Sequence, residues 1–268
     1  MSELQSRQRY ALCVEYDGSA YNGWQIQPHA PSIQQALNEA ISVVANEQVE
    51  CTGAGRTDTG VHAAGQIVHF DSSGQRSLRS WLLGVNSNLP PDIAVIWVRP
   101  VSSEFHARFS AISRTYRYVI LNRPVRSALE RNRAWWVHAP LDLERMQAAA
   151  NFLIGEHDFS AFRAASCQSH SAVRQMAELS VSRSGQNIII YCRANAFLHH
   201  MVRNIVGSLV RVGKAEEKPE WMSYLLKAAD RRVSGMTAPA AGLTLMEIGY
   251  PPGAFGAQPY TGNELRDT

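Results

Sequence analysis

One stretch of this sequence gathers residues able to do chemistry. Gly53-Ala54-Gly55-Arg56-Thr57-Asp58-Thr59-Gly60-Val61-His62 sets a single carboxylate near an arginine, in a loop punctuated by three glycines. Glycine permits positive φ and close backbone approach, so such a loop can hold Asp58 in a fixed place. An Asp in a Gly-rich loop is also an ordinary turn residue, and the loop alone leaves both readings open. Two nucleotide readings fall away. Gly55 and Gly60 have the G-x-x-x-x-G spacing, but Val61-His62 stand where a phosphate loop needs Lys and Ser or Thr. The dinucleotide fingerprint fails because its third glycine would fall at Asp58.

Other chemistries are poorly served. His62, His69, His157, His170 and the His199-His200 pair show no ligand spacing such as H-E-x-x-H. Cys13, Cys51, Cys167 and Cys192 are far apart with no Cys-x-x-Cys pair, and read as reduced cytoplasmic thiols. Neither a metal nor a cofactor is expected. Hydrolases of nucleosides or glycosides normally pair two acids, and the only further candidates, Asp17 and Asp158, read as turn and helix-cap residues.

The partner is suggested by charge placement. The chain has 268 residues, 45% hydrophobic and 18% charged, which excludes disorder, collagen and a disulfide miniprotein. Net charge is only +3, yet Arg99, Arg108, Arg114, Arg117, Arg123, Arg126, Arg131 and Arg133 lie together against Glu104 and Glu130. Phe105, Phe109, Tyr116 and Tyr118 are interleaved with them. Planar cations for phosphate and rings for bases point to nucleic acid. Met1 to Tyr10 is polar, and no run approaches the ~18 apolar residues of a spanning helix. A cytoplasmic protein without cleavable address or membrane contact is expected.

These residues need a scaffold. Arg9 to Tyr16 reads as a strand closed by Asp17-Gly18. Ser32 and Gln35 form a capping-box pattern for a helix whose face is Ile33, Leu37, Ala40, Ile41 and Val44. Strands at 49–53 and 65–71 flank the loop, giving β-α-β plus a functional loop. The second half repeats the order: a strand at 115–121, a helix at 141–154, and strands at 177–182 and 187–194. A helix at 198–212 has Leu198, Met201, Val202, Ile205, Leu209 and Val212 on one face and His199, Arg203 and Gly207 on the other. A short helix at 220–230 and a strand at 243–248 follow. The expected division is 1–108, 109–250 and a loosely ordered tail, 251–268.

The Asp58 loop does not stand alone. With Tyr16-Asp17-Gly18, Gly23-Trp24-Gln25, Phe105-His106-Ala107-Arg108-Phe109, Arg114-Thr115-Tyr116-Arg117-Tyr118 and Phe197-Leu198-His199-His200-Met201-Val202-Arg203-Asn204, it resembles the tRNA pseudouridine synthase A (TruA) family from about Arg9 to Tyr250. The resemblance implies an α/β (α+β) pseudouridine synthase fold: two RRM- or ferredoxin-like halves sharing a mostly antiparallel sheet, with a catalytic cleft between them. It implies isomerisation of uridine to pseudouridine at tRNA positions 38, 39 and 40, by a homodimer whose tRNA lies across both subunits.

By the same resemblance Asp58 is the essential carboxylate. Addition to the base, attack on the ribose and abstraction of a ribose proton all remain open to it. Arg203 is its basic partner, favouring the ionised form. Tyr116 packs on the target uracil and Tyr118 takes the core role, with Leu243 also at the uracil. Arg56 fills the gap left by the flipped uridine. Arg56, Arg76, Phe105, His106, Ala107, Arg108, Phe109, Ser166, Cys167, Gln168, Ser169 and His170 are implied tRNA contacts. Ala172, where proline is frequent in the family, and Thr244, where a large apolar residue is common, depart from its pattern. Two other readings remain: an RNA-binding protein without catalysis, and a carboxylate-based nucleoside hydrolase.

Overall fold

The structure, a computed structural model, describes residues 7–256. The chain forms two compact units: residues up to Ile112 together with those from Leu245 onward, and Ser113–Thr244. The first holds β1 (Gln8–Tyr16), α1 (Ile33–Ala45), β2 (Thr52–Gly53), β3 (His62–Ser72), α2 (Leu78–Asn88) and β4 (Ile93–Val101). The second holds β5 (Ser113–Asn122), β6 (Trp135–Val137), α3 (Leu143–Asn151), β7 (Gly155–Asp158), β8 (Val173–Ser184), β9 (Asn187–Ala194), α4 (Met201–Gly213) and α5 (Trp221–Ala228). The last strand, β10 (Leu243–Gly249), carries the chain back to the first unit. The mixed α/β class with mostly antiparallel strands is as expected.

In the first unit the strand order is β4-β1-β3-β10, with β2 added to β3. β1 runs antiparallel to both β3 and β4. On β3, Ile67, Val68, His69 and Phe70 are all buried, which explains why the polar-apolar alternation is weak there: both faces are covered. Tyr10, Phe70 and Trp81 stack as one cluster, at 5.2–5.5 Å between centroids. Ser32 caps α1 by accepting from the Gln35 N–H, while the Gln35 amide donates to Glu39 at 2.9 Å.

Two elements here escape the sequence pattern. α2 is poor in helix formers, with Ser80, Gly84, Asn86 and Ser87, but Ser77 caps it and Trp81, Leu82 and Val85 are buried. β4 contains Pro100, which is tolerated on the outer strand of this order. The first unit also extends four residues past the expected boundary. Ile112 N–H donates to the Gly249 carbonyl at 2.8 Å, tying the segment after β4 to the end of β10.

In the second unit β5, β9, β8 and β7 are neighbours in that order and antiparallel, with β6 parallel to β5. Helix α4 is buried around most of its circumference, with Arg203 and Arg211 only partly exposed. The face that carries Arg203 and Gly207 is therefore covered as well as the apolar one. The segment 231–238 covers it: Arg231 Nη2 and Thr237 Oγ1 donate to Asn204 Oδ1 at 3.0 and 2.7 Å, and Gly235 N–H donates to Ser208 Oγ at 3.0 Å. A Cβ at Gly207 would lie 1.7 Å from the Met236 carbonyl, so the room this glycine makes is filled by the chain itself.

The tail is also better packed than expected up to Gly256. Phe255 meets Trp97, Phe105 and Tyr250 at 4.9–5.4 Å, and the Arg99 guanidinium lies over both the Trp97 and the Phe255 ring, 4.2 and 4.6 Å from their centroids. The remainder of the expected tail falls outside the described residues.

Candidate active site

Asp58 is half-buried on a loop whose backbone is held from several sides. Trp24 N–H donates to the Thr57 carbonyl at 3.0 Å, and Gly60 N–H to the Tyr21 carbonyl at 3.3 Å. Val61 N–H closes a turn on the Asp58 carbonyl at 3.1 Å. From beneath, the fully buried Gln66 donates to the Gly55 carbonyl at 2.7 Å, and the Tyr16 hydroxyl bonds Thr57 Oγ1 at 2.8 Å. Burial pushes the Tyr16 phenol well above its ordinary pKa, with Thr57 and Gln66 opposing, so the hydroxyl serves as a neutral strut.

The glycines divide the work. Gly60 has φ +77°, while Gly53 lets the Trp24 ring approach to where a Cβ would be 2.6 Å from it. Outside the loop, Gly23 has φ +87° and a Cβ there would lie 2.5 Å from the Thr57 carbonyl. The segment Gly23-Trp24 in turn caps α1, since Ile33 and Gln34 donate to its carbonyls. Asp58 is therefore anchored through a strap to a helix and through Gln66 to a strand, as a positioned carboxylate requires. Arg56 is exposed beside it.

In the second unit, Tyr116 is buried on β5 and meets Phe197 edge-on at 5.1 Å. Tyr118, two residues on, is fully buried and donates to the Pro239 carbonyl at 2.7 Å, a core role. Arg203 is half-buried on α4, and its Nε donates to the Ala238 carbonyl at 2.7 Å. Leu243 is buried at the start of β10, after Gly242, where a Cβ would strike the Tyr118 ring. Asp17 and Asp158 accept backbone N–H bonds from Ser19 and Ser160, as turn residues do.

The implied tRNA contacts are of three kinds, of which His106, Cys167 and Ser169 are half-buried. Arg76, Arg108, Phe109, Ser166, Gln168 and His170 are exposed, whereas Phe105 and Ala107 are buried and present little or no side-chain surface to an RNA. Arg76 Nε donates to the Val44 carbonyl at 3.1 Å. Ser166 Oγ bonds His199 Nδ1 at 3.0 Å, and Arg174 donates to Ser169 Oγ at 2.8 Å. Burial raises the Cys167 thiol, but the N–H groups of His199 and Ser169 and the Arg163 guanidinium together outweigh it and bring the pKa below its ordinary value.

Gln66 carries no motif signal of its own, and the blocks that hold Tyr16 and Trp24 do not disclose what those two residues do. Tyr16, Trp24 and Gln66 act through buried bonds and packing. The visible clue is a polar residue inside an apolar strand, as with Gln66 and His69 on β3.

Comparison with known proteins shows the family. The family model described as tRNA pseudouridine synthase matches residues 12–110 and 149–251. A tRNA pseudouridine synthase A of Hydrogenovibrio crunogenus is 54% identical over 241 residues, covering 90% of this chain and 92% of that protein. A protein of the same name from Aliivibrio salmonicida is 51% identical, covering 91% and 93%, and one from Coxiella burnetii is 49% identical, covering 91% and 94%. Matched over both segments and at about half identity along nearly its whole described length, the chain belongs to the tRNA pseudouridine synthase family.

Proposed function

We propose that this protein isomerises uridine to pseudouridine in tRNA, with Asp58 as the essential carboxylate. The observation that carries this reading is the fixed Asp58 loop, gripped by Trp24, Tyr21, Gln66 and Tyr16, in a chain of this family. The reaction breaks the bond from N1 of uracil to C1′ of ribose and forms one from C5 to C1′. The C5 proton leaves and N1 gains a proton, so no atom or electron is lost overall. One positioned carboxylate suits that chemistry better than the two acids of a hydrolase.

The remaining roles follow the family resemblance. Tyr116 stacks on the extruded uracil with Leu243, Arg203 favours the ionised form of Asp58, and Arg56 occupies the gap left in the stem. Arg76, Arg108, Phe109 and the exposed residues of the Ser166 to His170 segment bind the anticodon stem-loop, where uridines 38, 39 and 40 are the targets, with Phe105 and Ala107 as the buried side of the 105–109 segment. The enzyme works as a cytoplasmic homodimer. Among the described residues no helix is long and apolar enough to cross a membrane.

The test is tritium release from tRNA transcripts labelled at C5 of uridine, with a single uridine at position 38, 39 or 40. Release to water from all three, with pseudouridine recovered in the RNA, supports the proposal. Free uracil would identify a hydrolase instead, and tRNA binding without release a non-catalytic binder.

A further inference from the structure

Residues 102–110 form an irregular segment between β4 and β5, and most such segments leave their backbone groups to water. Here side chains of the first unit's sheet take them up. Arg9 Nη1, from β1, donates to the carbonyls of Ser103 and Phe105 at 2.6 and 2.8 Å. His69 Nδ1, from β3, accepts the Ala107 N–H at 3.1 Å. The Tyr250 hydroxyl, just past β10, donates to the Ala107 carbonyl at 2.6 Å. The Ala107 residue is thus held at both its N–H and its C=O.

The gripping residues are themselves fixed. Arg9 and Asp71 are cross-strand partners joined by two bonds of 2.7 Å, Nε to Oδ1 and Nη2 to Oδ2. The His69 ring is buried and stands edge-on to Phe105 at 6.2 Å. Because Nδ1 accepts, the ring proton sits on Nε2. Next along the chain, His106 Nδ1 accepts the N–H groups of Arg108 and Phe109 at 3.1 and 3.2 Å, and its ring stacks on Phe109 at 4.3 Å. The pattern separates inner from outer residues: Phe105 and Ala107 are buried, Arg108 is exposed, and the Phe109 side chain is 77% exposed.

We propose that His69, backed by Arg9 and Tyr250, is a positioning residue for tRNA binding. By fixing the Ala107 peptide it sets the aim of Arg108 and Phe109 before the RNA arrives. An RNA-contacting cation and ring that are already ordered cost less entropy to engage, so the clamp acts on affinity and leaves the chemical step alone. The inference rests on the reading that Arg108 and Phe109 contact tRNA.

Binding of an unmodified tRNA transcript and steady-state kinetics are measured for His69→Leu, His69→Asn, Tyr250→Phe, Arg108→Ala and the pair His69→Leu with Arg108→Ala. Losing one buried backbone bond should weaken tRNA binding about tenfold in His69→Leu, raising KM with kcat unchanged. Asn presents an oxygen near the place of Nδ1, so His69→Asn should recover affinity to within about threefold of the wild type. The double variant should bind less than tenfold worse than Arg108→Ala alone, because part of the effect of His69 passes through that side chain and the rest through Phe109. Tyr250→Phe keeps its ring against Phe105 and Phe255 and loses only the hydroxyl, so it carries the test should His69→Leu fail to fold; its affinity should also fall with kcat unchanged. Wild-type affinity in His69→Leu and Tyr250→Phe, beside a weakened Arg108→Ala, overturns the positioning role. A loss of kcat without a change in KM overturns it as well. Wild-type affinity in Arg108→Ala instead overturns the reading on which the inference rests.

Discussion

Arg203 and Ala238 exchange hydrogen bonds: the Arg203 carbonyl accepts the Ala238 N–H at 3.1 Å, and the Arg203 Nε donates to the Ala238 carbonyl at 2.7 Å. The guanidinium is thereby oriented by the backbone of a segment that also covers α4. A lysine supplies charge but no Nε held in a planar fork. Arg203→Lys should therefore fold normally and lose about tenfold or more in pseudouridine formation. Arg203→Met should lose about 10²- to 10³-fold, the scale of removing a charged group that acts on the transition state. Tritium release together with thermal unfolding checks both; full activity in Arg203→Met would show that the cation has no part in the reaction.

Asp58→Asn keeps the shape of the loop and removes the charge. It should bind tRNA with wild-type affinity and release no tritium. A companion variant tests the strap: Gly23→Ala places a Cβ at φ +87°, against the Thr57 carbonyl at 2.5 Å. It should lower activity by displacing Asp58 even though Gly23 has no side chain of its own to contribute. Wild-type kinetics in Gly23→Ala would separate the strap from the function of the loop.

Gly207→Ala drives a methyl group into the Met236 carbonyl, which a Cβ would meet at 1.7 Å. Relief requires α4 or the 231–238 segment to move, breaking the bonds from Arg231 and Thr237 to Asn204. Overpacking of this kind costs about 1–3 kcal/mol or more, and the urea midpoint should fall accordingly. An unchanged midpoint would mean that the segment is only loosely seated on the helix.

His69 couples stability to pH. Burial first, then the charges of Arg9 and His106, bring its pKa from 6.5 down to about 4, with Asp71 opposing. Between those values the unfolded chain binds a proton that the folded chain refuses. Stability is therefore full above pH 6.5 and falls as the pH drops through the window, by at most about 3 kcal/mol. His106, held low by burial and then by Arg9 and Arg108, adds in the same direction. Asp71, lowered chiefly by its bond to Arg9, contributes a loss only below the ordinary carboxylate range. Urea midpoints between pH 7 and 4.5 should decline in the wild type and decline less in His69→Asn. Equal slopes would exclude His69 as the source.

The sequence displays strands and helices where pattern and propensity agree. β1, α1 and β9 can be read directly, because Ser32 announces its helix and the strands end in turn residues. α2 is hidden because its stability comes from Trp81 and Val85 packing rather than from helix-forming residues. Asp58 and Arg203 are legible through the blocks of sequence around them. Gln66, His69 and the 231–238 cover of α4 are not, because each acts by a bond whose other partner is distant in the chain. A hydrogen bond such as that of Tyr250 to Ala107 spans 143 positions and leaves no local trace.

The discontinuity of the first unit bears on how the chain is made. The second unit is contiguous, so all of its strands from β5 to β9 and its helices are synthesised in one run. The first unit's β1 to β4 precede the second unit yet lack their β10 neighbour until Leu245–Gly249 have left the ribosome. Until then β3 has an unfilled edge, and residues 102–110 lack the Tyr250 anchor. Long-range closure of this kind is slow and leaves an open strand edge in the meantime. The strands β1 to β4 are therefore translated before the second unit and completed after it, and nascent chains stopped short of Tyr250 should depend most on chaperones.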